Sequence, residues 1–145
     1  MTIDPFDLER FVEAQRPCHQ AALAELRAGE KRSHWMWFVF PQMRGLGRSP
    51  ASRFFGIRSL DEAGAYLAHP ILGPRLEEAT RAVLAIEGRT LRQIFGTPDD
   101  AKFRSSMTLF ALASADNGSP YRQALARWHG GEMDPATLAL LGIGA

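Results

Sequence analysis

Helix start and stop signals recur along the whole chain, and they constrain its fold more than any other feature. Thr97-Pro98-Asp99-Asp100, Ser119-Pro120 and Asp134-Pro135 set a short polar side chain before a proline, and Gly29, Gly88, Gly96 and Gly130-Gly131 follow stretches of helical periodicity. A side-chain oxygen at the N-cap satisfies a free backbone N–H, proline suits the first helical position, and glycine accepts the left-handed turn that closes a helix. No stretch alternates apolar and polar residues as a half-buried strand does. The pattern predicts an all-α fold, one domain over residues 1–145 with seven or eight helices.

In order, the first helix begins near Pro5 or Asp7, with Leu8, Phe11 and Val12 inward, and Pro17 ends it. A second runs to about Ala28, carrying Leu23 and Leu26. Ser59-Leu60-Asp61-Glu62 has the S-x-x-E form of a capping box and opens a helix to His69, where Pro70 stops it. Gly73-Pro74 starts the next, which closes at Gly88, and Thr90 to Phe95 is about one turn. The Thr97-Pro98 start, with Thr97 as the capping hydroxyl, opens a helix from Asp99 to Ser114 whose core stripe is Phe103, Met107, Phe110 and Ser114. Two more helices follow, the first with Tyr121, Leu125 and Trp128, the last ending at Leu141.

One segment stands apart from this regularity. Lys31 to Ile57 holds two of the three tryptophans, four of the nine phenylalanines, three glycines, two prolines and no acid. From His34 to Phe40 every residue is large, so both faces need cover: the run is a short buried helix or strand, or a pocket wall awaiting a planar ligand. Pro41 disfavours helical geometry at Phe40 and ends the element, leaving Gln42 to point back over the aromatic wall. Arg44-Gly45-Leu46-Gly47-Arg48 reads either as a plain surface turn or as amides and guanidinium groups placed to hold a phosphate. Between Arg27 and Arg58 seven basic residues face one acid, Glu30, a local charge of +6 in a chain of net charge +1. Such a field draws anions that also stack, or it merely keeps an aromatic segment soluble.

Only Lys31 and Lys102 are lysine among seventeen basic residues, which singles out a compact ammonium where arginine would otherwise stand. Lys102 is followed at i+3 and i+4 by Ser105 and Ser106. That face reads as a Ser-Lys dyad, as a surface for phosphate or ribose, or as structure, with Lys102 paired to Asp99 and the serines allowing close packing.

Other chemistry is poorly supported. His19, His34, His69 and His129 fall in no metal-ligand spacing, no nucleotide-loop motif is present, and no cofactor is implied. Cys18 and His19 are adjacent, so on a helix they point about 100° apart and do not pair. A single cysteine excludes an internal disulfide and suits a reducing compartment. With no signal-like N-terminus and no apolar run near the roughly 20 residues of a membrane span, the expectation is a cytoplasmic protein without membrane contact. The near-neutral total charge argues against an obligate nucleic-acid binder, and weak single-strand binding on the basic, aromatic segment stands only as a third possibility.

The strings HWMWFVFPQ, SxxSRFFGI, EAxAYLxHPxLGxRL and FGTPDDxKFRSSMTLF, spread from His34 to Phe110, resemble an uncharacterised bacterial domain-of-unknown-function family often labelled "calpastatin" in genomes. The resemblance implies a mainly helical domain and no activity. The calpastatin label has no counterpart here, since nothing looks like the disordered repeats of a protease inhibitor. In motif order the chain is also similar to NADAR (NAD and ADP-ribose-associated) domains, which combine an early aromatic segment with a later lysine-bearing helix; the N-terminal motif of that group is absent.

These observations converge on a pocket for a small, planar, anionic ligand of nucleotide or ADP-ribose type, lined by His34, Trp35, Trp37, Gln42, Arg44, Lys102, Ser105 and Ser106. For an enzyme the reaction class is hydrolysis of an N-glycosidic bond, with Asp99 or Glu62 activating water. The rival is a non-enzymatic interaction module whose aromatic segment is core.

Overall fold

The short stretches between punctuation marks become short helices stacked around one long one. A computed structural model describes residues 4–143. It is all-α, with ten helices among the described residues: α1 (Glu9–Gln15), α2 (His19–Arg27), α3 (Met36–Val39), α4 (Pro50–Phe54), α5 (Leu60–Ala68), α6 (Leu72–Leu84), α7 (Leu91–Phe95), α8 (Asp99–Ala113), α9 (Pro120–His129) and α10 (Pro135–Leu141). Two helices go beyond the expected count. α3 is a single turn inside the aromatic run, and α4 starts on Ser49-Pro50, where Ser49 Oγ accepts the Ser52 N–H at 3.1 Å.

The caps deserve correction in two places. The Asp4 carboxylate accepts the N–H groups of Leu8 (2.8 Å) and Glu9 (3.0 Å), so the acid that opens α1 is Asp4 and the helix begins later than Asp7. Thr97 does not cap α8. That helix starts without a side-chain cap, its Asp100 N–H bonding the Gly96 carbonyl at 2.9 Å. A full capping box forms instead at Thr90 and Gln93 on α7.

α8 is the axis of the molecule, packed against α5, α7, α9 and α10, while α6 packs on α2, α5 and α9. It is not striped as expected. Every residue from Ser105 to Ala111 is buried, as is Phe103. Hydroxyl residues tolerate this because they return their hydrogen to the preceding turn: Ser105 Oγ bonds the Ala101 carbonyl at 3.2 Å, and Thr108 Oγ1 the Arg104 carbonyl at 2.9 Å. Around α8 the aromatic rings of Phe40, Phe95, Phe103, Phe110 and Tyr66 form edge-on and stacked contacts at centroid distances of 4.9–5.9 Å. The core is one contiguous cluster drawing on α1 to α3 and α5 to α9. No helix among the described residues is long and apolar enough to cross a membrane.

Candidate functional site

The backbone on either side of α4 is pinned by one small pairing. Met43 and Ile57 form an isolated parallel bridge, with the Arg44 N–H on the Ile57 carbonyl (2.8 Å) and the Ile57 N–H on the Gln42 carbonyl (2.9 Å). Both bridge side chains are buried, so the pairing is anchored in the core. Gly56 makes it fit: a Cβ there would lie 2.6 Å from Arg44 Cβ and 2.7 Å from its Cα. The turn and α4 project from this clasp, and α4 is the one helix of the ten with no fully buried residue.

Against α4, α3 and α8 lies a narrow crevice lined by Met36, Trp37, Phe40, Gln42, Ser52, Phe55, Gly56 and Lys102. Its free space is about 10 Å³, room for about one water. Of the eight residues expected at the site, Trp37, Gln42 and Lys102 meet here. The Lys102 ammonium stands 5.5 Å from the half-buried Trp37 ring. Behind it the expected Lys102–Asp99 pair is present at 3.4 Å, and Lys31, not foreseen there from sequence, joins the same carboxylate with its Nζ at 3.0 Å. Lys31 in turn lies 5.0 Å from the Trp35 ring. One carboxylate therefore serves two ammonium groups, each over an indole, and the cluster keeps one positive charge. Lys31 carried the same compositional signal as Lys102.

The other five residues are placed elsewhere. Trp35 is buried and cannot stack on a ligand; its indole N–H donates to Glu25 Oε1 at 3.0 Å. Glu25 also accepts the N–H groups of Arg32 (2.6 Å) and Ser33 (2.9 Å) and the Ser33 hydroxyl (2.6 Å). Burial works to raise this carboxyl, but those donors outweigh it and bring it down to about 2. His34 is exposed in the loop before α3 and does not line the crevice. Ser105 and Ser106 do not join Lys102 on one binding face, because α8 is enclosed from Ser105 to Ala111. Ser105 Oγ is engaged with Ala101 and, at 3.1 Å, with Asp134; Ser106 Oγ is wholly buried without a hydrogen-bond partner. Arg44 lines a separate, wider cleft on the far side of the Gly56 contact, together with Arg10, Arg53 and Arg58.

Neither acid expected to activate water is free. Glu62 is 1% exposed, paired with Arg10 at 2.7 Å and accepting the Arg58 N–H at 3.1 Å, and Asp99 is held between ammonium groups. No group of three or more His, Cys, Asp or Glu among the described residues could hold a metal ion.

A family described as proteins of unknown function, DUF1810, matches residues 5–141 of the sequence. The chain belongs to the DUF1810 family. A solved structure, that of the conserved hypothetical protein Rv1873 from Mycobacterium tuberculosis, is similar at 55% identity over 97% of this chain and 100% of that one, with a TM-score of 0.94. No curated protein matches. DUF1810 membership agrees with the motifs running from His34 to Phe110, and the crevice is built from both ends of that span: the HWMWFVFPQ string supplies Trp37 and Gln42, the SSMTLF helix supplies Lys102.

Proposed function

We propose that this DUF1810 chain binds a planar, anionic ligand of the nucleotide or ADP-ribose type at the crevice of Trp37, Gln42 and Lys102. The observation that carries it is the ammonium of Lys102, only partly neutralised because Asp99 is shared with Lys31, poised over an indole face. Charge and stacking surface are thus already side by side. The crevice is closed to about one water, so entry requires the Ser52 side of α4 to shift outward while Arg10 holds the Phe54 end. The lack of buried residues in α4 makes that the least costly wall to move. Binding is favoured over N-glycosidic hydrolysis, since both candidate acids are engaged in ion pairs.

Differential scanning fluorimetry with ADP-ribose, ADP, adenosine and inorganic phosphate tests this. Ligand at 100 times its Kd stabilises the wild type by about 2.7 kcal/mol, several degrees in Tm. Lys102→Ala abolishes the shift with ADP-ribose and leaves the unliganded Tm nearly unchanged. A second reading has one observation in its favour: Trp35, Phe38 and Phe40 are all core. If no ligand of the panel shifts the wild type, the segment is structural and the protein is an interaction module.

A further inference from the structure

The cleft on the other side of α4 has a different character from the crevice. Its volume is about 550 Å³, and four arginines face it from four elements: Arg10 of α1, Arg44 of the bridge, Arg53 of α4 and Arg58 before α5. They are not equivalent. Arg10 spends all five N–H donors inside the protein, Nε on the Phe54 carbonyl (2.8 Å), Nη1 on the carbonyls of Phe6 and Asp7, and Nη2 on the Gly56 carbonyl (3.2 Å) and Glu62 Oε2 (2.7 Å). Its side chain is 8% exposed and that of Glu62 1%, so the pair cancels and forms a fixed floor. By its bonds Arg10 ties the N-terminal turn, the end of α4 and the start of α5 together.

Arg44, Arg53 and Arg58 make no side-chain hydrogen bond or ion pair among the described residues, and all three are exposed. Elsewhere Arg16, Arg27 and Arg81 each lie within 3.6 Å of a glutamate, while Arg48 and Arg92 are unpaired among the described residues but stand outside the cleft. Among the described residues that line the cleft, the one remaining carboxylate is that of Asp7, against three exposed guanidinium groups. These three groups line one hollow, and guanidinium matches phosphate oxygens two at a time, so a multiply charged anion suits the space among them. At the cleft edge Phe54 is 57% exposed, a flat apolar face beside the charges.

We infer that this cleft is a second binding site, for a diphosphate group, held by Arg44, Arg53 and Arg58 over the Arg10–Glu62 floor. It stands whether or not the crevice binds a ligand, because the two cavities share no cation. The diphosphate arrives either free or on a nucleotide, and Phe54 decides which: a nucleotide base stacks on it and free pyrophosphate does not.

Isothermal titration calorimetry of the full chain with inorganic pyrophosphate, inorganic phosphate and ADP tests the site. Pyrophosphate binds more tightly than phosphate, its affinity falls as salt is raised, and Arg53→Ala and Arg44→Ala each weaken it by about ten-fold. Both side chains are exposed, so unchanged melting and circular dichroism verify that the variants fold. ADP binding tighter than pyrophosphate, with the gain lost in Phe54→Ala, assigns a nucleotide; equal affinities in both proteins assign the free diphosphate. Pyrophosphate affinity that is absent in the wild type, unchanged in the double variant Arg44→Ala/Arg53→Ala, or lost in Lys102→Ala overturns the inference.

Discussion

The crevice and the arginine cleft use α4 as a common wall, Ser52 on one side and Arg53 and Phe54 on the other, yet they hold their charges by opposite means. Behind the crevice two lysines compete for one carboxylate and lean on indole rings, so the one cation that lines it, Lys102, is built into the frame and access is lacking. In the cleft one arginine is locked and three are loose, so access is present and order is supplied only by the floor. A site can be pre-ordered or open at little cost, and here each half has one of the two properties.

Removing the floor produces the largest effect. Arg10→Ala strands the Glu62 carboxylate at 1% exposure and breaks four carbonyl contacts, and loss of one partner of a buried pair costs about 3–5 kcal/mol. Urea unfolding measures it. Lys102→Ala, whose pair with Asp99 is more exposed, is expected to cost under about 1 kcal/mol. The pair Arg10→Met with Glu62→Leu recovers most of the loss, which separates a buried charge from a missing contact. Equal costs for Arg10→Ala and Lys102→Ala would remove the distinction between the buried pair under the cleft and the partly exposed pair behind the crevice.

The clasp between the two cavities comes next. Gly56→Ala places a methyl against the Arg44 backbone and 2.9 Å from the Ser52 carbonyl, neither of which is a flexible side-chain end. Parting the Met43–Ile57 bridge is expected to cost about 1–3 kcal/mol and to weaken pyrophosphate and ADP-ribose binding together. Thermal melts and the two titrations read it. Loss of one ligand without the other would show the cavities to be independently hung.

Local signals made most of the frame legible and little of the site. Helix boundaries depend on a few neighbouring residues, so Ser59, Ser119 and Asp134 each cap where their sequence says, accepting the N–H three residues on. Ser59-x-x-Glu62 was only half a capping box for a long-range reason: the Glu62 carboxylate goes to Arg10, 52 residues away, and to the Arg58 N–H. Ser49-Pro50 carried the same start signal as Ser119-Pro120 but lay inside an aromatic and basic segment read as a turn. The site failed where exposure mattered. Trp35 and Trp37 are two apart and look alike, yet one is buried on Glu25 and the other borders the crevice; Ser105 and Ser106 looked like partners of Lys102 until α8 proved to be enclosed. No spacing rule places Asp99 between Lys31 and Lys102, because only the Lys102 half is local.

The loop behind the crevice is sensitive to acid through one carboxylate. Glu25 gathers the loop that carries Lys31 and Trp35, and its carboxyl lies at about 2 against an ordinary 4.5. A carboxyl lowered in the folded state stabilises fully above 4.5, and that contribution is lost as pH falls toward 2. Glu25→Gln is therefore expected to cost about 1–3 kcal/mol at pH 6 and progressively less below pH 4.5, the hydrogen bonds to a charged acceptor being the part removed. Urea midpoints of both proteins across that range provide the check; a constant gap would mean the Glu25 charge does not hold the loop.

The smallest effect bears on whether the crevice can open at all. A Cβ at Gly47 would meet Ser52, with its Cβ at 2.6 Å, and reach Gln42 Nε2 at 3.8 Å, so a methyl there is wedged between two residues that line the crevice. Gly73 meets a comparable crowding, but from the backbone of Leu67 where α5 turns into α6. The cost of overpacking depends on what can yield. At Gly73 nothing can, and Gly73→Ala is expected to cost about 1–3 kcal/mol. At Gly47 the neighbour rides on α4, which no buried side chain anchors, so Gly47→Ala is expected at under about 1 kcal/mol as the helix shifts outward. Equal destabilisation of the two variants in urea would mean that α4 is as firmly held as the α5–α6 corner, and a ligand could not enter beside Trp37 by displacing it.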